Sequence, residues 1–222
     1  TGVSKTTGYT GKALDEVGDA ILDMSKRMPQ SAEAIAGVME IAAQLGVRGK
    51  DNLLKFTETA IRMGDATNLS AESASTEMAR FLNITGSGIG TVDKLGSTIV
   101  ALGNNTATTE AEIMSMGMRI AAAGRQVGLS DAEILGFSAS LSSLGITAEL
   151  GRSAFSKMMV NMEVASQQGG DSLNNFAKVA GMSADEFKNK FQTDAKGAII
   201  DFLKGLNDIE KNGGSVINTL DE

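Results

Sequence analysis

Apolar residues recur three and four positions apart through most of the chain, and the breaks between these stretches hold residues that start or stop helices. Leu14, Val17, Ile21 and Met24 set the first stretch and predict a helix over 11–28, stopped by Pro29. Ser31 is placed to cap a second helix that runs to about Leu45, with Gly46 after it. A third begins near Asp51, turns Leu53, Leu54, Phe56, Ala60 and Met63 inward, and meets Gly64 as its stop. Ser70 caps a fourth, which carries Ala74, Met78, Phe81 and Leu82. The glycine-rich TGSGIG at 85–90 then reads as a flexible connector and a boundary.

Beyond it the pattern resumes. Thr91 opens a fifth helix that ends at Gly103. Thr109 with Glu112, and Ser130 with Glu133, have the spacing of capping boxes and start the sixth and seventh. Ile113, Met116, Ile120 and Val127 line one, and Ile134, Phe137, Leu141 and Leu144 the other, with Gly145 as the stop. Thr147 caps an eighth, which carries Phe155, Met158 and Met162 as far as Gly169 and Gly170. The remainder is richer in Phe, at Phe176, Phe187, Phe191 and Phe202, and reads as two short helices and a longer one over 195–211. Ser183 and Glu186 box the second of these.

The two halves echo each other. DEVGDAI from Asp15 matches DKLGSTI from Asp93, MEIAA from Met39 matches MRIAA from Met118, and LLKF from Leu53 matches ILGF from Ile134. Gly64 matches Gly145, and SAE from Ser70 matches TAE from Thr147. The offsets run from 77 to 81 residues and change where loops are predicted, the pattern left by duplication of a four-helix unit. Gly18 and Gly96 fall at equivalent points inside helices, where each costs about 1 kcal/mol relative to Ala. That repeated cost suggests a neighbouring helix that comes close at both.

The fold class is therefore all-α, a multi-helix bundle of about eleven short helices. Its division is 1–10 as a disordered stretch or linker start, 11–86 and 87–169 as two four-helix units, and 170–222 as a C-terminal helical segment of a longer chain. Composition agrees with helix-on-helix packing: 42% of residues are apolar but 4% aromatic, so Ala, Leu, Ile, Val and Met build the core. A chain of 222 residues folded this way has a radius of gyration of roughly 17 Å. The same chain as one continuous helix would reach about 330 Å.

Chemistry is scarce. With no Cys there is no disulfide, thiol nucleophile or thiolate metal site, and with no His the commonest general base and transition-metal ligand is missing. A net charge of −7 argues against binding nucleic acid, and no apolar run approaches a membrane span. Asp15, Asp19 and Asp23 line one helix face and read as a solvated acidic stripe, without the loop spacing of a calcium site. GSGIG at 86–90 resembles a phosphate loop superficially but lacks both glycine fingerprints and a preceding strand. Met114, Met116, Met118, Met158, Met159 and Met162 read as gap-filling core rather than a binding surface. The expectation is an absence of catalytic, cofactor-binding and metal-binding residues, of cofactors and of enzymatic activity.

The stretch LGNNTATTEAEIMSMGMRIAAAGRQVGLSDAEILGFSASLSSLGI, with Leu102, Gly103, Asn104, Asn105, Thr106, Glu110, Ile113, Gly128, Leu129, Ser130, Gly145 and Ile146, resembles the core of tail tape measure proteins of long-tailed phages and prophages. FAKVAGMSADEFKNKF and AKGAIIDFLKGL resemble a later segment of that family, and the likeness runs from about 12 to 210. It implies a structural virion protein, made in the host cytoplasm, that occupies the tail lumen and sets tail length. The implied partners are the tail tube protein, tail assembly chaperones and tail tip proteins, with several copies in parallel. A free-standing helical-repeat adaptor or scaffold is the alternative.

Overall fold

The computed structural model describes residues 2–212, and all of its regular structure there is helical. Residues 213–222, the end of the expected C-terminal helical segment, lie outside the described residues. The elements are α1 (Gly2–Thr7), α2 (Gly11–Ser25), α3 (Ala32–Gln44), α4 (Lys50–Ala66) and α5 (Ala71–Thr85). A short 3-10 turn at Ile89–Thr91 leads into α6 (Val92–Asn105), α7 (Glu110–Gln126) and α8 (Asp131–Ser143). Then come α9 (Ala148–Leu150), a π turn at Gly151–Phe155, α10 (Ser156–Gln168), α11 (Gly170–Val179), α12 (Ala184–Thr193) and α13 (Ala195–Lys211). All eleven predicted helices are present, the eighth as α9, the π turn and α10 in sequence.

The start signals act as their chemistry requires. Ser31, Ser70 and Thr147 each accept a backbone N–H from the first turn they precede. Thr109, Ser130 and Ser183 complete reciprocal boxes with Glu112, Glu133 and Glu186, so two otherwise orphaned donors are satisfied at each start. α2 ends at Ser25, three residues short of the expected end at Met28, and two glycine stops also differ from expectation. α4 runs through Gly64 to Ala66, and α6 runs through Gly103 to Asn105. Both glycines are close approaches rather than ends. A Cβ at Gly64 would lie 2.7 Å from the Ala71 amide nitrogen, and one at Gly103 would overlap the Glu110 carboxylate. The ends are made instead by Thr67 and Thr106, whose hydroxyls each donate to the carbonyl four residues back at 2.7 Å. Gly145, at φ 76°, does end α8. The match of Gly64 with Gly145 is thus one of sequence and not of structural role.

Residues 2–7, expected to be disordered or a linker start, form α1. Val3 is buried, and the helix packs along α3. Six residues are too few to show a 3.6-residue period, so the pattern was silent there.

The helices stack in two layers. In the first, α1, α3, α5 and α7 pack side by side, followed by α10 and α12. In the second, α2, α4, α6 and α8 do the same, and α11 packs on α13. Packing is continuous across 86/87, because α4 packs on α6 and α5 on α7. Gly86 caps α5 in a left-handed conformation and Ile89 packs against the core, so 85–90 is an ordered turn. One apolar core runs from Val3 to Phe202.

Burial corrects one piece of the internal register. Ile35, Val38, Met39, Ala42 and Ala43 on α3 are answered by Ile113, Met116, Gly117, Ile120 and Ala121 on α7, at the same offset of 78 residues as the caps Ser31 and Thr109. The match of MEIAA with MRIAA is therefore one residue out. In α4 and α8, Leu53, Phe56 and Thr57 correspond to Ile134, Phe137 and Ser138, all buried.

Candidate binding groove

The candidate acidic stripe stays apart from any site: Asp15, Asp19 and Asp23 are exposed on α2, and Asp23 pairs with Lys26 at 2.8 Å. Among the described residues no group of three or more acidic side chains could hold a metal ion. Met114, Met116, Met159 and Met162 lie in the core, whereas Met158 is half-buried.

A polar contact between helices lies at the α4–α6 seam. Asp93 accepts the Thr59 hydroxyl at 2.5 Å and pairs with Lys55 at 3.0 Å. The Thr59 hydrogen bond first, and the Lys55 ammonium with it, hold the Asp93 carboxyl below its ordinary range. Thr59 is also packed under Gly96, where a Cβ would sit 3.1 Å from its methyl. With its hydroxyl engaged and its methyl covered, Thr59 ties two helices together and is not presented to a substrate. The capping carboxylates Glu112, Glu133 and Glu186 are likewise held below the ordinary range, chiefly by the backbone N–H each accepts.

A groove of about 980 Å³ lies in the C-terminal half. Its floor is α10 with the π turn before it. One wall is Leu141 of α8 and Ile146, and the other is α11 and α13 through Phe176, Leu203 and Leu206. The π turn forms where Gly151 lets the chain press on Met116, since a Cβ there would overlap the thioether sulfur. Phe155 in that turn meets Phe137 of α8, ring centres 5.2 Å apart, at the base of the groove. Lys196 of α13 pairs with Glu133 of α8 at 3.1 Å and joins those helices near their N-terminal ends. Leu150 and Val164 line the groove yet remain 58% and 42% exposed, and Leu144 beside it is 77% exposed. The lining carries one charged side chain, Lys157, with amides at Asn161, Gln168 and Asn175. Such a lining can hold an apolar surface and orient it with a few polar contacts; it has no paired nucleophile and base. The periodicity counted Met158 and Phe155 as inward residues. It missed Leu150 and Val164, because nothing local reveals that α8 and α11 stand apart.

Comparison with known proteins gives one family. The model of the family described as phage-related minor tail protein matches residues 18–220. No curated protein and no solved structure matches the chain.

Proposed function

Because the chain belongs to the phage-related minor tail protein family, a family of structural tail components, we propose that it is a segment of a tape measure protein. In this reading it is made in the host cytoplasm, occupies the tail lumen and helps to set tail length during assembly. The observation that carries the reading is the family match over nearly the whole chain, joined to the ordered resemblance from Leu102 to Ile146. The chain acts without catalysis, and its partners are the tail tube protein, tail assembly chaperones and tail tip proteins, with several copies in parallel. No described helix is long and apolar enough to cross a membrane.

The folded helices bear on how such a segment would measure length. An in-frame deletion of residues 11–169 from the parent gene tests both points by electron microscopy of the tails. If the segment is extended in the tail, tails shorten by about 240 Å, at 1.5 Å per helical residue. If it stays folded as a module, they shorten by much less or fail to assemble. Normal tails of unchanged length would sink the tape measure reading.

The corresponding caps and buried faces of α2–α5 and α6–α10 support descent of 11–86 and 87–169 from one duplicated unit. The two-layer stacking also suits the alternative of a helical-repeat adaptor. A native reading frame that begins and ends close to these residues would favour the adaptor; long flanking coiled coil would exclude it.

A further inference from the structure

Helices α11, α12 and α13 are held to one another by contacts of their own. The Phe176 ring lies nearly parallel to Phe187, centres 6.1 Å apart, and meets Phe202 edge-on at 5.4 Å. Phe187 lies nearly parallel to Phe191, again at 6.1 Å. Phe187, Phe191 and Phe202 are buried. Gly205 of α13 presses on the last carbonyl of α11, where a Cβ would overlap the Val179 oxygen. Lys190 of α12 pairs with Asp201 of α13. These ties all begin and end within 170–211.

The ties that lead out are of another kind. Helices α11 and α12 pack on α10. Between α13 and α8 lies the groove, bridged near the N-terminal ends of both helices by Lys196 and Glu133 at 3.1 Å. Glu133 divides its carboxylate: Oε2 accepts the Ser130 backbone N–H at 2.9 Å, and Oε1 faces Lys196. The two side chains of the pair remain 30% and 46% exposed. Water and salt reach such a pair, so its hold is weak and falls as ionic strength rises.

The chain enters this part at Gly169 and Gly170, with φ 73° and 79°. A Cβ at either would meet nothing within 4 Å, so glycine serves the backbone turn there and admits no neighbour. The regular α-helical ladder is broken at this point, because α10 ends at Gln168 and α11 begins at Gly170. Cooperative unfolding units end where few interactions cross.

We propose that α11–α13 is a separate cooperative unit, which opens as a whole up to Gly169 while α1–α10 stay folded, and that the Glu133–Lys196 pair is the latch that sets how often it opens. The fold then has an order of release built in. The C-terminal unit leaves first and uncovers the face of α10 that α11 and α12 occupied. The inference goes beyond the tape measure reading and does not depend on it.

The test is native-state hydrogen exchange of the full 222-residue chain at low urea, read by mass spectrometry. Amides of α11, α12 and α13 should share one opening rate, at least tenfold faster than that of α7 and α8. Phe187→Ala should speed exchange in 170–211 by roughly a hundredfold or more and leave α3–α8 within about twofold of the parent. Lys196→Gln, a surface change, should speed exchange in 170–211 by about two- to fivefold. In about 1 M sodium chloride, where the screening length is about 3 Å, parent and Lys196→Gln should converge. Loss of protection in α3–α8 together with α11–α13 in Phe187→Ala would overturn the proposal, since the chain would then be one unit. Protection that rises steadily from α13 back to α11 would overturn it too, because that is fraying from an end. Exchange untouched by Lys196→Gln would remove the latch.

Discussion

Gly18 and Gly96 occupy matching places in α2 and α6, yet Ala should act with opposite sign at the two. At Gly18 a Cβ would meet nothing within 4 Å, and the residue is inside a regular helix. Ala therefore gains the full propensity difference of about 1 kcal/mol, through lower unfolded-chain entropy and a better helix former. At Gly96 the Cβ would lie 3.1 Å from the Thr59 methyl and 3.4 Å from the Met63 sulfur. Met63 can turn aside; Thr59 cannot do so freely, because its hydroxyl is held by Asp93 and by the Lys55 carbonyl at 3.0 Å. Relieving the contact separates α4 from α6 or breaks that clamp, at an overpacking cost of about 1–3 kcal/mol. The same propensity gain is then cancelled or outweighed. For a chain of this length 1 kcal/mol moves the midpoint by about 2–4 °C. Thermal unfolding followed by circular dichroism should raise the midpoint for Gly18→Ala by about that amount. It should leave the midpoint unchanged or lower for Gly96→Ala. Equal stabilisation by both substitutions would refute the reasoning that Gly96 is retained for helix contact.

Other expectations follow from single contacts. Phe187 is fully buried, with the rings of Phe176 and Phe191 each 6.1 Å away, so Phe187→Ala should cost about 3–5 kcal/mol in urea unfolding; a loss under 1 kcal/mol would mean that α11–α13 do not share that core. Ser130→Ala removes the cap of α8 and should cost about 1 kcal/mol, read as a lower urea midpoint, whereas Ser130→Asp should largely restore it. Asp93 has its folded value lowered, so its contribution is present above the unfolded carboxylate value of 3.8 and is lost as pH falls through the lowered folded value. Asp93→Asn should therefore be less stable than the parent at neutral pH and lose less as the solution is acidified below about pH 4; parallel stability curves for the two would rule out the clamp.

Much of this molecule is legible in the chain because helix starts and core faces are local events. Ser130 and Glu133 are three residues apart, and their two reciprocal hydrogen bonds need no other part of the protein. Ile113, Met116 and Ile120 announce a buried face by spacing alone. The same locality explains the misreadings. A glycine that ends a helix and a glycine that lets another segment approach look alike in sequence. Gly145 is the first kind, and Gly64 and Gly103 are the second because Ala71 and Glu110 fold back onto them. Helix α1 was invisible for want of length, and one repeat match slipped by a residue because Ala-rich faces resemble themselves at neighbouring registers.

The sequence by itself determined that the chain is helical, where its longer helices begin, and most of the side chains that go inward, with Leu144, expected inward and 77% exposed, an exception, since capping geometry and a 3.6-residue period are properties of neighbours along the chain. Tertiary structure alone decided that the two halves share one core across 86/87, that Gly96 and not Gly18 sits beneath a neighbouring side chain, and that α8 stands away from α10. Those facts concern distances between helices that lie far apart in sequence. Such distances are set by the volumes of facing side chains, the close approach that Gly151 permits to Met116, and the ion pair of Lys196 with Glu133. The groove between α8 and α11 is the product of that packing and has no counterpart in the pattern of any one helix.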